Sequence, residues 1–455
     1  MRYAFWIGTL LTLWAQDTLL IDARRRLRAY ELARKREGWV VVGYPTAGYD
    51  PLRGIGAALV ASIAYNGQKN EALFPYTPYK HYFFLQAGGY ERESWYWRFF
   101  YDAPWIKAHP YRIACRLSYR NESQGQFWGV GEQAFLSRLP EKTISLYEKR
   151  LREVQLGSNG IWETRLAHHF FFITQWQGWL VGEHIRRGGL LRLMGGIRWT
   201  GEKLSSLQGR RYTLPTPSGE KVSAVQLPTL IDSAAQGLIP LPASTQVVLG
   251  RWQHRFFAGG AFIWDTRDFE VNPNKGLLAE VSHESNLPLL SFHKTSISLR
   301  TYHIWYESRS QRVQVTGALH LLATLSYGRV LPLTELQIYT RWADGRIPNL
   351  LSGPSTLRAF RENRLLAPCL YLLQYELRSR VAELRLLHQH FTGGPVIFVD
   401  IGAGRNTLAL PSPQKAAIGI GTGARILWNM TTVLRADFAY GREGWQINFT
   451  TTHPF

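Results

Sequence analysis

Only two cysteines and three methionines occur in 455 residues. Cys115 and Cys369 lie far apart, in segments that read as different strands. They read as isolated thiols, which excludes a disulfide-rich scaffold and a zinc ribbon. Acidic residues are few: Asp and Glu number 33 against 53 Lys and Arg, a formal charge of +20. After the N-terminus no apolar run reaches the roughly 18 residues of a membrane helix. A nucleophile elbow, an H-E-x-x-H pair and a phosphate loop are all missing. His168 and His169 are adjacent, so in a strand they point to opposite faces. His388 and His390 share a face, but no cysteine or carboxylate sits close by in sequence to complete a ligand set. Neither a metal, a cofactor nor an enzymatic activity is expected.

What is abundant points elsewhere. Aromatics make up 13% of the chain, with 17 Trp, 22 Tyr and 22 Phe, and hydrophobic residues 45%. Such a composition excludes intrinsic disorder. It leaves a soluble protein of two or three domains or a membrane β-barrel, which hides its apolar residues in alternation. Residues 1–15 read as a signal peptide: Met1-Arg2, an apolar run from Tyr3 to Trp14, and a cleavage site at Ala15-Gln16. The segment 16–37 is basic, with seven Arg or Lys among the sixteen residues 22–37. It reads either as a solvated arm or as a helix lying against a lumen wall or anionic lipid. Nucleic acid is not expected as a partner of an exported chain.

From residue 38 to 455 the pattern has period two. In 445–455, Trp445, Ile447, Phe449 and Phe455 fall on one face, with Gln446, Asn448 and Thr450 on the other. Leu434, Ala436, Phe438 and Tyr440 oppose Arg435 and Asp437, and Tyr371, Leu373, Tyr375 and Leu377 oppose Gln374, Glu376, Arg378 and Arg380. Alternation alone fits a soluble sandwich or a membrane barrel. Strand lengths near those needed to cross a bilayer at a tilt favour the barrel. So do aromatics clustered at strand ends, as in YWRFFYDAPW at 96–105. Candidate strands start near Ile55, Lys80, Glu93, Pro110, Lys142, Glu163, Gly188, His254, Gly276, Thr295, Arg312, Leu370, Gly394, Ile418, Thr432 and Trp445. The expected fold is therefore an all-β, antiparallel transmembrane barrel of about sixteen strands. Counted this way, the long connections 201–247 and 330–368 fall on the outer side, and 121–141 falls on the inner side, where turns are usually short.

Several motifs stand in a fixed order. Asp265, Arg267 and Asp268 precede Pro273 and Gly276 at a strand end and tight turn. LLSGPSTLRAFREN follows at 350–363, then QYELR at 374–378, FVDIG at 398–402, GTGARILW at 421–428 and LRADFAYG at 434–441. This order resembles the barrel of the BamA/TamA superfamily of outer-membrane assembly and translocation proteins, the bacterial surface antigen family. The resemblance covers about 260 through 455. In the first half, GYPTAGYDPLRGIGAAL (43–59), YDAPWIKAHPYR (101–112) and FWGVGEQA (127–134) resemble Bacteroidetes-type members without POTRA domains. One departure is visible: the family's Arg-Gly-aromatic loop reads Arg358, Ala359, Phe360, and the preceding Gly-Gly reads Ser352-Gly353. Glycine permits backbone angles that alanine resists, so an altered loop tip is expected.

The resemblance implies a long sixth outer loop folded into the lumen, with Arg358 paired to Asp400 and Glu376 nearby. Phe398 and Gly402 would share the inward face with Asp400. Phe449 and Phe455 would supply the C-terminal aromatic targeting signal. The implied activity is non-enzymatic insertion or translocation of proteins at the bacterial outer membrane. A weak seam between the last strand and the strand near Ile55 would open sideways. The implied partners are outer-membrane lipid and lipopolysaccharide, client proteins, and a periplasmic protein that recruits them. Two alternatives remain at this stage. One is a passive channel whose lumen arginines (Arg378, Arg380, Arg425, Arg435) favour anions; the other is a structural barrel that scaffolds an accessory protein.

Overall fold

The computed structural model describes residues 26–50, 54–91, 94–106, 111–131, 170–186, 190–215, 221–225, 228–239, 241–242, 244–336, 338–343, 346–361, 364–387, 389–409, 415–429, 432–451 and 453–455. Among the described residues, sixteen staves run antiparallel in chain order. They are β1 (Trp39–Asp50), β2 (Gly54–Tyr65), β3 (His81–Tyr90), β4 (Ser94–Ala103), β5 (Tyr111–Gln126), β6 (Phe170–Arg186), β7 (Leu191–Ser205) and β8 (Trp252–Asp265). The second half holds β9 (Gly276–Leu287), β10 (Phe292–Glu307), β11 (Gln314–Gly328), β12 (Cys369–Arg380), β13 (Gln389–Arg405), β14 (Ala417–Trp428), β15 (Thr432–Gly441) and β16 (Gly444–Thr451). Each pairs with the next. A short extension, Ala382–Leu386, prolongs the β12–β13 hairpin at its inner end.

Burial decides between sandwich and barrel. On β7, Arg192, Arg198, Thr200 and Glu202 are buried while Leu193 and Ile197 are exposed. On β13, Asp400 is buried and Ile397 is 57% exposed. Charge faces in and hydrocarbon faces out, the reverse of a soluble core and the arrangement that lipid demands. Aromatic rings cluster near both rims, such as Trp95, Tyr119 and Trp176 at one and Trp39, Tyr65 and His81 at the other, with the three Trp exposed. Among the described residues no helix is long and apolar enough to cross a membrane, which says nothing about crossing by strands.

The expected number of strands stands, but two assignments change. Trp39–Asp50 is a full stave, not identified from sequence because Pro45, Gly43 and Gly48 interrupt its apolar run. The candidate strand near Lys142 lies outside the described residues, and β5 pairs directly with β6, so no stave fits between them. The two errors cancel in the count but not in the topology. Connection 127–169 now joins the fifth and sixth staves and falls on the outer side, so no long inner connection arises there.

The ends of the barrel are filled. At the outer mouth, Phe127, Val130, Ile173, Leu204, Ile231, Phe257, Phe292, Leu333, Leu336 and Leu366 form an apolar dome. A short helix, Leu230–Ala235, joins it, with Asp232 accepting from the Thr229 amide at 2.7 Å as an N-terminal cap. At the inner mouth the described part of the basic segment does not extend into solvent. It packs across the opening, with the single helical turn Ala29–Leu32. Leu27 is buried against Phe269, Arg28 pairs with Glu307, and Arg34 pairs with Glu383 at 2.7 Å. The solvated-arm reading is corrected for residues 26–37, because these charges find fixed partners on the inner turns.

Candidate functional site

The outer connection between β11 and β12 turns back into the lumen as two limbs. The second limb carries Arg358, which is fully buried. Its Nε and Nη2 each donate to Asp400 at 2.8 Å, a bidentate pair, and its backbone amide donates to the same carboxylate at 3.1 Å. Nη1 donates to Glu376 and lies 3.5 Å from Asp437. The pair inferred from resemblance is present, with Glu376 as its neighbour on β12. It is one part of a larger network. Arg425 joins Glu376 at 2.7 Å to Asp437 at 2.6 Å, Arg378 meets Glu376 at 2.7 Å, and Arg435 reaches Asp437 at 3.4 Å.

The FVDIG strand now has a physical reading. Period two places Phe398, Asp400 and Gly402 on one inward face. The Phe398 ring lies under the Arg358 guanidinium, 3.4 Å from Cζ to the ring centre. Asp400 supplies the charge. A side chain at Gly402 would collide with Leu357, so the glycine admits the loop. Gln374, opposite Asp400 in the ladder, holds the Thr356 carbonyl at 2.8 Å. Asn448 on β16 donates to the Arg358 carbonyl at 3.0 Å.

The conformational conflict expected of alanine at 359 does not arise. Ala359 does not occupy a left-handed conformation, whereas Gly353 does, with φ +123°. The methyl of Ala359 is instead received by two glycines. A Cβ at Gly419 or at Gly441 would lie 2.7 Å or 2.8 Å from it. Phe360 is buried beside it in the same apolar cluster.

The turn motif is structural. Asp265 accepts from the Arg267 amide and guanidinium at 3.1, 2.9 and 2.9 Å. Asp268 accepts the amides of Phe269 and Asn274 at 2.9 Å and of Lys275 at 3.2 Å, tying the turn around Pro273. Gly276 has φ +111°, and a Cβ there would strike the Thr266 carbonyl.

The C-terminal aromatics part company. Phe449 is 76% exposed on the outer face, but Phe455 is only 5% exposed. After Thr451 the chain leaves the wall and turns inward. Phe455 packs with Tyr302 and Ala318, and His453 meets Asn272 at 2.7 Å. The shared lipid face expected of Phe449 and Phe455 is therefore corrected: once the strand departs from the ladder, alternation no longer sets direction.

Among the described residues no ladder joins β1 to β16. The two sides touch through side chains near the inner end. Tyr44 lies 6.0 Å from Trp428, ring to ring, and Ser62 Oγ is 3.2 Å from Thr432 Oγ1. The seam thus lies at β1, not at the strand near Ile55, which is paired on both edges.

The lumen arginines are occupied. Besides the pairs above, Arg380 donates to the Gln311 carbonyl at 2.6 Å and Arg435 to the Pro354 carbonyl at 2.6 Å. His390 meets Glu383 at 2.9 Å, a carboxylate seven residues away that adjacency in sequence did not suggest. His168, His169 and His388 lie outside the described residues. Cys115 and Cys369 are free thiols. Sequence reasoning passed over Asp437, Arg425 and Gln374 as site residues, although alternation marked all three as inward.

The profile of the Omp85 superfamily domain matches residues 191–453, more than half of the chain. The chain belongs to the Omp85 superfamily. It is an outer-membrane β-barrel of the protein insertion and translocation class, and the Arg358 network is its lumen-loop clasp. A domain of unknown function, DUF5982, matches residues 17–80. That stretch contains the described arm, β1, β2 and the inner turn on which the arm lies. Among solved structures, this Omp85 barrel is similar to BamA from Haemophilus ducreyi lacking POTRA domains 1–3, at 11% identity and a TM-score of 0.47, covering 92% of this chain and 70% of that one. It is also similar to CdiB from Acinetobacter baumannii (10%, TM-score 0.44, 96% and 72% covered) and CdiB from Escherichia coli (12%, 0.44, 89% and 58%). No curated protein matched the sequence.

Proposed function

We propose that this barrel inserts β-strand client proteins into the outer membrane through the seam between β1 and β16, without covalent chemistry. The observation that carries the reading is that, among the described residues, no ladder closes that seam. Unpaired strand edges present rows of N–H and C=O groups, and in a bilayer such groups must find partners. A client strand entering between β1 and β16 would satisfy both rows at once, a form of strand addition. The axial route is less favourable, because a chain passing through the lumen would displace the outer dome, the clasped loop and the inner arm. Of the lumen arginines, Arg378, Arg425 and Arg435 are paired with carboxylates, and Arg380 is held by the Gln311 carbonyl and over the Tyr30 ring.

In this reading lipid and lipopolysaccharide contact the outward apolar belt, a periplasmic partner delivers the client, and the N-terminal apolar stretch directs export. The test is site-specific photocrosslinking in cells. A photoreactive residue at Val41 on β1 or Ile447 on β16 is expected to capture nascent outer-membrane proteins, while one at Ile197 on β7 is not. Equal capture at all three sites, or unchanged outer-membrane protein levels after depletion, would overturn the proposal.

A further inference from the structure

The first limb of the inward loop is a finger: Ile338–Arg341 pairs with Arg346–Leu350 as a hairpin. Its tip reaches the β7–β9 wall, across the lumen from the Arg358 clasp on β12–β15. Glu280 on β9 is buried, and its two carboxylate oxygens accept the amides of Trp342 at 2.8 Å and Ala343 at 3.0 Å. Arg192 on β7, also buried, donates to the Ala343 carbonyl at 2.9 Å. Trp342 and Ala343 pack among Met194, Ile263 and Leu278. Amide and carbonyl of one tip are thus held by an acid and a base on two staves. We propose that Glu280 and Arg192 form a second anchor, which positions the finger in the lumen independently of the Arg358 clasp.

Three features make this more than packing. A carboxylate accepting two consecutive amides is a charge-assisted contact, about twice as strong as a neutral one. The two anchors sit on different walls, β7–β9 and β12–β15, and share no residue. Arg192 also donates to Asp265 at 3.0 Å. Asp265 in turn holds Arg267 in the inner turn, on which the arm rests through Leu27 and Phe269. The turn motif therefore has an outlet toward the finger. The proposal concerns the plug and not the client, so its failure would leave the insertion reading standing.

The test uses the full chain with Cys115→Ala and Cys369→Ala, refolded into vesicles. Folding is checked by heat-modifiable gel mobility. A membrane-impermeant maleimide then reads thiols introduced singly by Ala343→Cys, on the finger, or Ala359→Cys, at the clasp. Adding Glu280→Ala is expected to speed labelling at 343 about tenfold and leave 359 within about twofold. Glu280→Gln keeps one acceptor oxygen and should give an intermediate rise of about threefold; it is also read if the alanine variant does not fold. Asp400→Ala should do the converse, exposing 359 more than 343. Unchanged labelling at 343 in a folded Glu280 variant, or an equal rise at both positions, would overturn the second anchor.

Discussion

At the residue scale the clasp is a network and not an isolated pair. Arg358 faces Asp400, Glu376 and Asp437 together. Exchanging the charges of Arg358 and Asp400 would therefore set an acid against two others, and no two-residue swap reproduces the site. Removing Asp400 leaves part of a buried guanidinium uncompensated, a change of about 3–5 kcal/mol in comparable buried pairs. The tip also depends on shape. Because Gly419 and Gly441 make room for the Ala359 methyl, Gly419→Ala should unseat the tip, and Ala359→Gly in the same chain should restore it. The expected cost of the single change is about 1–3 kcal/mol, as for other overpacked cores. Urea unfolding of the single and double variants measures it, and a simple sum of the two effects would contradict the contact. That Asp400 faces inward was legible from period two. The role of the two glycines was not, because the partner methyl lies sixty or more residues away in sequence.

At the scale of elements, the arm is the least expected part. Its charges suggested solvation, yet Lys35 is buried and donates to the Thr77 carbonyl at 2.6 Å and to that of Phe74. Burial lowers Lys35 to about 7, with Glu71 pulling it back only in part. A lysine whose folded pKa is depressed binds fewer protons when docked than when free. Docking therefore strengthens as pH rises between about 7 and the free value of 10.5, and is weakest below 7. A spin label on Glu37→Cys, in the chain without native cysteines, should show a smaller mobile fraction at pH 9 than at pH 6.5. Lys35→Met should abolish that dependence. A mobile fraction that grows with pH would refute the assignment. The arm lies against the inner turn 66–80, with the Leu27 amide donating to the Pro75 carbonyl at 2.8 Å. The described arm from residue 26 and the inner turn of the β2–β3 hairpin thus fold against one another.

At the scale of the molecule, described residues cross the barrel at the outer mouth, in the lumen and at the inner mouth. The dome, the two anchored limbs and the arm succeed one another along the axis. Reconstituted in a planar bilayer, the intact chain should show only small, brief openings. Deleting 338–350 should raise the conductance, because it removes Trp342 and Ala343, which pack against Met194, Ile263 and Leu278 on the β7–β9 side of the lumen. A large, steady and anion-selective conductance from the intact chain would instead support a passive channel. The seam is a separate matter from the lumen. The clasp grips β12, β13, β15 and β16 through Glu376, Asp400, Asp437 and Asn448, so the C-terminal wall and the plug are joined, while among the described residues none of these contacts reaches β1.

The sequence by itself determined the class of fold and the inward and outward faces of most staves, and the resemblance carried by its motifs implied the Arg358–Asp400 pair. Those follow from period two and from ordered motifs, both of which are local or linear signals. It also limited chemistry by composition: few cysteines, no nucleophile motif, one excess charge. Tertiary structure alone decided which strand borders the seam, where the arm lies, how Ala359 fits, and that Phe455 turns away from lipid. Each of those depends on two segments distant in the chain coming together. Alternation says which way a side chain points from its own strand, but not what waits for it across the lumen.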